Sequence, residues 1–484
     1  MNLFHYTDPD TVCLWWEKPE TGALWEILLN GEKAGQTEKT HFLLRDLTPD
    51  TGYEIQVRPP DGGPGARLHL RTPAARPRIV VTDGPYFAKG DGESLDTAAL
   101  QRAIDDCPPG GSVVLPAGTF RSGALRLHSH MELYLEAGAT LLGSQRPEDY
   151  LPRIWSRFEG REMLCCQSLL NLGTLDHSTG PSCRDVVIRG SGVIQGGGYE
   201  LAWATIEQER QRLKDYLDAN AAYIATCENA DTIPGRVRGR LINMSNCQNV
   251  RISGLTLAQG PSWNVHMIYS DNIVTDHCTF RSQGIWNGDG WDPDSSENCT
   301  IFSCLFYTGD DSVAIKSGKN PEGNVIGRPT RRIRVFDCRC AFGHGLCIGS
   351  EMSGGVEDVK IWDCDLENSM VGIQIKGTRK RGGYVRDITV RDCVVPCILV
   401  GSVGYNDDGE GAPEPPVFRD FRYAHLRITG RSLDRDWSEC PAVELHGFAG
   451  SPLRNVSLED VTVTGGTGIR MSRCENVTIE MRAE

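Results

Sequence analysis

One short pattern of apolar and polar residues recurs through the second half of the chain. Each copy begins with Asn or Asp and continues with alternating apolar and polar positions, as in "CQNVRISGLTL", "SENCTIFSCLF" and "VEDVKIWDCDL". Equivalent positions Val250, Ile273 and Cys299 are 23 and 26 residues apart. Alternating apolar positions predict β-strands, and a strand repeat of this length predicts stacked coils that share one core. The sequence therefore predicts an all-β protein whose main body is a right-handed parallel β-helix.

The N-terminal residues 1–74 show a different pattern, in which strand-like runs such as "TVCLWWEKP" and "ARLHLRT" alternate with turn residues. This spacing predicts a small β-sandwich. The segment "LRDLTPDTGYEIQVR" resembles a fibronectin type III domain, with Leu47 and Tyr53 at the corner of that fold.

The main body contains a helical insertion, and an insertion in a solenoid usually lies on one face, often the binding face. We expect a linker at 75–82, a β-helix catalytic domain at 83–484, and a helical insertion within it at about 199–235.

The composition restricts the partners and the compartment. A net charge of −14 argues against general binding to nucleic acid or to an anionic membrane, and no apolar run is long enough to predict a transmembrane helix. The N-terminal segment lacks a basic region followed by an apolar core, so we expect no secretory signal and a cytoplasmic protein. Many of the 18 cysteines occupy one position of the repeat, which predicts buried thiols rather than disulfides or a zinc site. Neither a metal nor a cofactor is expected, and the oligomeric state is not predicted.

Three aspartates fall one coil apart. Asp310 and Asp311 in "YTGDDSVAIKSG" follow Asp289 in "WNGDGWDPDSS" by 21 and 22 residues. Adjacent parallel strands lie about 4.8 Å apart, so Asp289 should stack beside the pair. Successive side chains of a regular strand point to opposite faces, so we expect a bulge or a strand end at Gly309 that lets both aspartates face one cleft.

Such a cluster suits general acid–base chemistry, because neighbouring carboxyl groups split their pKa values and one of them keeps its proton. Glycoside hydrolysis needs one protonated acid and one ionised carboxylate. On spacing alone, a calcium site and an acidic turn ladder remain alternatives.

Two later segments carry basic side chains at comparable intervals. His344 in "CAFGHGLCIGSEMSGG" follows Asp311 by 33 residues, and Lys376 in "GIQIKGTRKRGG" follows His344 by 32. Each interval equals one coil plus a loop of about ten residues. We therefore predict that both basic residues lie in register beside the acids, with Gln374 on the same strand face as Lys376.

Together these segments resemble glycoside hydrolase family 28, the polygalacturonase family, from about residue 80 to the C-terminus. The resemblance implies an inverting hydrolase that cleaves α-linked galacturonic acid, with no cofactor. It implies that Asp310 is the general acid, that Asp289 and Asp311 hold and activate water, and that His344 supports the acid. It also implies that Lys376 pairs with the galacturonate carboxylate, and that the other residues near the substrate are the following: Asn287, Gln374 and Tyr405.

The N-terminal unit, the helical insertion and "GSEMSGG" resemble the exo-acting bacterial members of that family. Gln374 replaces the family's arginine, which removes a bidentate clamp for a carboxylate. A rhamnogalacturonan-directed α-galacturonidase is therefore an alternative within the family. A β-helix lyase and a non-catalytic carbohydrate-binding β-helix are alternatives from other classes.

Overall fold

The computed structural model of the chain divides into two compact units, Met1–Arg78 and Ile79–Glu484. The structure describes residues 1–20, 24–59, 65–177, 180–225, 237–404, 409–430 and 441–484.

The first unit consists of two antiparallel sheets that share one apolar core. The core contains Trp16, Trp25, Ile27 and Ile55, all buried. The three-stranded sheet, in spatial order, contains Leu3–Thr7, Val12–Trp16 and His41–Leu44. The four-stranded sheet, in spatial order, contains Glu32–Thr37, Trp25–Leu29, Gly52–Arg58 and Ala66–Arg71.

The second unit is a parallel β-helix with three long sheets, and the predicted right-handed parallel β-helix is confirmed. Each sheet receives about one strand from every coil, and neighbouring strands pair in parallel register, as Val250 with Ile273 and Ile273 with Cys299. The repeat read from the sequence therefore corresponds to successive coils.

Each of the three long sheets collects its strands from successive parts of the chain. The fifteen-stranded sheet contains Arg78–Val80, Gly111–Leu115, Met131–Leu135, Cys183–Gly190, Cys247–Ser253, Asp271–Asp276, Glu297–Phe302, Thr330–Phe336, Val356–Trp362, Tyr384–Arg391, Val394–Val395, Val417–Ala424, Arg427–Ile428, Leu453–Val463 and Cys474–Ala483. The eight-stranded sheet contains Asp91–Leu95, Gly118–Ser122, Ala139–Gly143, Val193–Gln195, Thr256–Ala258, Thr279–Arg281, Leu305–Tyr307 and Arg339–Phe342. The eleven-stranded sheet contains Leu125–Leu127, Leu170–Gly173, Ile242–Ser245, Val265–Ile268, Trp291–Asp294, Val313–Ile315, Gly345–Ile348, Gly372–Gly377, Cys397–Ser402, Val443–His446 and Ile469–Ser472.

The Asn or Asp of each repeat has a specific backbone role. Asp185, Asn249 and Asn272 all adopt left-handed backbone conformations, with φ between 55° and 57°. Asn and Asp tolerate this conformation better than other residues with a side chain. The Asn249 amide donates to Asp185 Oδ1 at 2.9 Å, and the Asn272 amide donates to Asn249 Oδ1 at 2.9 Å. The repeated residue therefore both bends each coil and joins it to the preceding one.

Side chains at equivalent positions of successive coils stack on one another. Phe302, Phe336 and Trp362 form a buried column with ring centroids 4.8 and 4.4 Å apart. The repeated cysteines are buried in the same manner, as at Cys304 and Cys338. No disulfide joins cysteines within the described part of the chain.

Helices are few and mostly belong to insertions. The α-helices are α1 (Thr97–Asp105), α2 (Gly198–Arg212), α3 (Lys214–Ala219), α4 (Ala221–Ile224) and α5 (Glu322–Ile326). Short 3-10 helices cover Pro147–Tyr150 and Arg379–Arg381, and an antiparallel hairpin joins Ile154–Phe158 to Arg161–Cys165. Helices α2 to α4 occupy the start of the predicted insertion, whose remainder from 226 to 235 lies outside the described residues. Among the described helices, none has the length and apolar character needed to cross a membrane.

Candidate active site

Asp310 and Asp311 lie in a bend between two strands. The strand Leu305–Tyr307 ends before them and Val313–Ile315 begins after them, which is the interruption that the sequence predicts. Gly309 permits the bend, because a Cβ atom there would lie 2.5 Å from the carbonyl oxygens of both Ser282 and Ile285. Released from strand alternation, both aspartates place a carboxyl oxygen near the same imidazole.

Asp289, Asp311 and His344 occupy equivalent places in three successive coils. Trp291 pairs with Val313, and Val313 pairs with Leu346; each of the three site residues lies two positions before its paired residue. The stacking predicted from the 22-residue spacing is therefore confirmed.

The predicted register of His344 with Lys376 is wrong. Leu346 pairs with Ile373, so the equivalent of His344 is Val371 and Lys376 lies further along the strand. Equivalent residues of these two coils are 27 positions apart, so the connection is about five residues shorter than the prediction assumes. Lys376 nevertheless reaches the site, because its long side chain extends to Asp311.

His344 connects the two adjacent acids. Its Nδ1 lies 2.9 Å from Asp310 Oδ1 and 3.3 Å from Asp311 Oδ1. Burial disfavours the charged imidazolium, but hydrogen bonds and charge from Asp310 and Asp311 outweigh burial and raise the pKa of His344 to about 10. The imidazolium therefore predominates at neutral pH and donates to the carboxylates.

Asp311 is the most strongly paired acid of the cluster. Lys376 Nζ lies 3.0 Å from its Oδ2, and the Cys347 thiol donates to its Oδ1 at 3.0 Å. Burial by itself would raise the pKa of Asp311, but Lys376 and His344 hold that pKa well below its ordinary value. Asp311 is therefore an ionised carboxylate throughout the physiological range.

The pKa of Asp289 is shifted in the opposite direction to that of Asp311. Burial raises the pKa of Asp289 well above its ordinary value, and the charge of Asp310 raises it further. Lys316 opposes this effect, since its Nζ lies 3.4 Å from Asp289 Oδ2. The cluster thus places side by side two carboxyl groups whose pKa values are shifted in opposite directions.

Further buried ionisable residues lie near Asp289 and influence the pKa values of the cluster. Lys316 also lies 3.6 Å from Glu351 and packs over the Trp263 ring at 4.9 Å. Asp292 is fully buried, and its carboxyl oxygens have no hydrogen-bond partner among the described residues. Burial raises the pKa of Asp292 well above its ordinary value, and the charge of the nearby Asp289 raises it further, so both effects favour the neutral form of this carboxyl group.

The predicted substrate-contacting residues lie in different places. Gln374 lies on the strand Gly372–Gly377 beside Cys347, whose sulfur is 3.9 Å from the Gln374 amide oxygen. Asn287 lies two residues before Asp289 and accepts a hydrogen bond from Arg238 at 2.7 Å. Tyr405 lies outside the described residues.

A cation could in principle be held by Asp310, Asp311 and His344, whose donor atoms lie within 4.8 Å of one another. The charges of the protein argue against it. His344 is protonated at neutral pH, and the Lys376 ammonium already neutralises Asp311. These residues do not fit a metal site.

Comparisons with known proteins identify the family of the chain. The sequence profile described as "Glycosyl hydrolases family 28" matches residues 173–483. The chain belongs to glycosyl hydrolases family 28.

Relatives within family 28 cover most of the chain. The exo-poly-alpha-D-galacturonosidase of Dickeya chrysanthemi is 26% identical over an alignment of 464 positions, which covers 89% of this chain and 76% of that protein. The hyperthermoactive exopolygalacturonase of Thermotoga maritima superposes with a TM-score of 0.70 at 28% identity, covering 84% of this chain and 93% of that one. The family 28 exopolygalacturonase of Yersinia enterocolitica superposes with a TM-score of 0.79 at 24% identity, over 100% of this chain and 96% of that one.

Sequence reasoning missed several residues of this family 28 site, namely Lys316, Asp292, Glu351 and Arg238. A signal existed for Lys316, because "VAIK" places a lysine at the end of an otherwise buried strand. Asp292 similarly interrupts a buried strand, since Trp291–Asp294 is buried throughout. Charged residues are rarely fully buried, so an ionisable residue within such a strand indicates a functional site.

Proposed function

We propose that this protein is an inverting, exo-acting glycoside hydrolase that removes α-linked galacturonic acid from pectic oligosaccharides. The observation that carries the proposal is the carboxyl cluster of Asp289, Asp310 and Asp311 on two adjacent coils, in which Asp310 and Asp311 both lie against the His344 imidazole. An inverting hydrolase requires one acid and one base on opposite sides of the scissile bond.

The accessible aspartate of the pair is the best candidate for the general acid. The Asp310 side chain is 26% exposed, whereas that of Asp311 is 4% exposed. Asp310 can therefore reach a leaving oxygen, while His344 orients its carboxyl group. Asp289 and Asp311 hold the attacking water between them, and the positive charge of Lys376 and Lys316 keeps that pair partly ionised. This arrangement divides acid and base roles within one small cluster.

The helical insertion supports exo action. Trp203 on α2 stacks on Trp286 with ring centroids 6.1 Å apart, and Trp286 lies three residues before Asp289. Arg238 packs over the same Trp286 ring at 5.0 Å and donates to Asn287. The insertion is therefore anchored next to the segment that carries Asp289. A wall at this point would close one side of the substrate groove and admit only a chain end, in keeping with the exo-acting relatives from Dickeya chrysanthemi and Thermotoga maritima.

The substrate and mechanism are tested together with short oligogalacturonides and polygalacturonate. We expect one small product from the first minutes, little loss of polymer viscosity, and a first product of inverted anomeric configuration by proton NMR. Asp310→Asn should lose roughly two to four orders of magnitude in rate, the usual size of a general acid–base contribution. Rapid viscosity loss with mixed products would contradict exo action, and retention of configuration would contradict the mechanism.

A rhamnogalacturonan-directed α-galacturonidase is the second candidate. Gln374 favours it, because an amide accepts a hydrogen bond from a neutral sugar hydroxyl as readily as it donates to a carboxylate. A rhamnogalacturonan fragment in the same product assay separates the two candidates by their relative kcat/KM values.

We propose that the N-terminal unit is a fibronectin type III-like module. The Thr48 backbone N–H donates to the Tyr53 hydroxyl at 2.9 Å, a contact of the kind that closes the tyrosine corner of such sandwiches. Tyr53→Phe should destabilise this unit by about 1 kcal/mol, the ordinary contribution of one hydrogen bond, without change in kcat. Chemical denaturation followed by Trp fluorescence measures the first effect, and an unchanged midpoint would contradict the proposal.

We also propose that the protein works in a reducing compartment, as the cytoplasm is. The buried thiols of the repeat, for example Cys304 and Cys364, lie near backbone carbonyls rather than in disulfides. Thiol titration of unreduced, denatured protein should detect most of the cysteines. A titration that finds most of them oxidised would contradict this compartment.

A further inference from the structure

A second groove lies on the eight-stranded sheet, away from the carboxyl cluster. It has a volume of about 290 Å³ and is bordered by the strands Gly118–Ser122, Ala139–Gly143 and Val193–Gln195 and by the start of α2. This volume is close to the lower end of the range for small-molecule sites, about 300–1,000 Å³. None of the aspartates of the candidate active site lines it.

Polar side chains converge on this groove without partners. Arg121, Gln145, Gln195 and Glu200 all line it. Within the described part of the chain, these four side chains make no hydrogen bond or ion pair. Arg121 is half-buried, and elsewhere in the chain arginines of similar burial pair with carboxylates, as Arg189 does with Glu132. An arginine without an acid, in a chain that carries a net charge of −14, points to an external anion.

The strand register places the groups of this groove on one face. Arg121 pairs with Leu142, and Leu142 pairs with Gln195, so the backbones of Arg121 and Gln195 are two strands, about 10 Å, apart. Leu142 provides an apolar surface between them. The backbone of Gly196, Gly197 and Gly198 forms the border, where no side chain restricts access.

We propose that this groove is a non-catalytic binding site for a uronic-acid saccharide. The Arg121 fork matches a sugar carboxylate in a bidentate manner. The amides of Gln145 and Gln195 can each donate to and accept from ring hydroxyls, and Leu142 contacts the apolar face of a ring. The Glu200 carboxylate accepts hydrogen bonds from sugar hydroxyls but repels the carboxylate of the sugar. The groove therefore favours a ligand whose carboxylate and hydroxyl groups lie at separate positions.

Helix α2 contributes both to this groove and to a contact beside the candidate active site. Gly198 and Glu200 in its first turn border the groove, whereas Trp203 in its second turn packs on Trp286 beside the catalytic segment. One insertion therefore borders both places, and the groove is lined by none of the aspartates that would act on the scissile bond.

The test counts binding sites in protein that cannot turn over its ligand. Asp310→Asn protein is titrated with digalacturonate by isothermal calorimetry, and the same titration is repeated with Arg121→Met added. We expect two sites in the first protein and one in the second, or a second site weakened at least about tenfold, since loss of a charge-assisted pair has this effect on affinity. The matched control is Arg126→Met, because Arg126 is an exposed arginine on the strand Leu125–Leu127.

Titrations with other ligands identify the ligand chemistry, and kinetic measurements separate this proposal from the proposed function. A neutral galactose disaccharide or inorganic phosphate should leave the Arg121-dependent site empty; binding of either as tight as that of digalacturonate would overturn the uronide assignment. Arg121→Met in otherwise unchanged protein should keep kcat/KM on trigalacturonate within about twofold, and a tenfold loss would make the groove part of the catalytic site. Equal numbers of sites with and without Arg121→Met would overturn the proposal. Absence of hydrolase activity in the unchanged protein would contradict the proposed function alone.

Discussion

The Lys376 ammonium lies 3.0 Å from Oδ2 of Asp311, although the two residues are 65 positions apart in the chain. Both side chains are buried, at 7% and 4% exposure. A buried pair of this kind fixes the charge of each partner, because removal of one leaves the other uncompensated. Lys376 therefore controls the ionisation of an acid in the cluster, in addition to the contact with a substrate carboxylate that the family resemblance implies.

Lys376→Met should lower kcat by about 100-fold or more, with a smaller change in KM. Without the ammonium, the pKa of Asp311 rises, since Lys376 is the largest influence that lowers it. Steady-state kinetics on trigalacturonate measures both constants, and Lys89→Met, at an exposed lysine, is the control. A large rise in KM at unchanged kcat would show that Lys376 only binds substrate.

Lys316→Met should move the acid limb of the pH–kcat/KM profile to higher pH. Lys316 lowers the pKa of Asp289, which burial raises, so its removal raises that pKa further and Asp289 ionises only in more alkaline solution. This shift is expected because Asp289 must be ionised to activate water. Profiles of both proteins from pH 4 to 9 provide the measurement. An unmoved acid limb in folded Lys316→Met protein would remove Asp289 from the role of base.

His344 should make the stability of the protein depend on alkaline pH. Its pKa is raised to about 10 in the folded protein, against about 6.5 in the unfolded chain. Its contribution is therefore complete below about pH 6.5, decreases above this value, and is lost as the pH passes 10. The difference in unfolding free energy between wild type and His344→Gln should be constant at pH 5 to 6 and decrease steadily from pH 7 to 10.

Urea denaturation at several pH values checks the His344 prediction. His425→Gln is the control, because the His425 ring is also near a carboxylate but lies outside the site. A difference between wild type and His344→Gln that grows with pH would contradict the prediction.

Gln374→Arg should raise the preference for a homogalacturonan fragment over a rhamnose-containing one by about tenfold in relative kcat/KM. Charge-assisted hydrogen bonds contribute about 1.5–3 kcal/mol, against about 0.5–1.5 kcal/mol for neutral ones. Nearby arginines do not supply the missing fork. Arg379 donates to the Ala412 and Pro413 carbonyl oxygens, and the buried Arg381 donates to Ser350 and Asn320.

Competition between the two fragments measures the effect of Gln374→Arg directly. Arg379→Ala, whose contacts are with exposed backbone, should leave the ratio of the two kcat/KM values unchanged. The same ratio in Gln374→Arg as in the wild type would show that residue 374 does not contact the substrate carboxylate.

The sequence alone determined the coil architecture and the core of the acid cluster. In a parallel β-helix, residues one period apart lie on adjacent strands, so an interval in the chain converts directly to a distance in space. Asp289 and Asp311 could be placed together for this reason, and the glycine at 309 indicated the bend that turns Asp310 to the same side.

Only the tertiary structure decided which charges surround the acids. The pairs of Lys376 with Asp311 and of Lys316 with Asp289 and Glu351 depend on long side chains. The positions of Lys376 and Glu351 also depend on connections of unequal length, which the coil period does not give. Likewise, the sequence repeat predicts neither the contact of α2 with Trp286 nor that Arg121 has no partner among the described residues. The physical reason is that backbone hydrogen bonding enforces the stacking of strands locally, whereas burial and charge pairing depend on every segment that packs nearby.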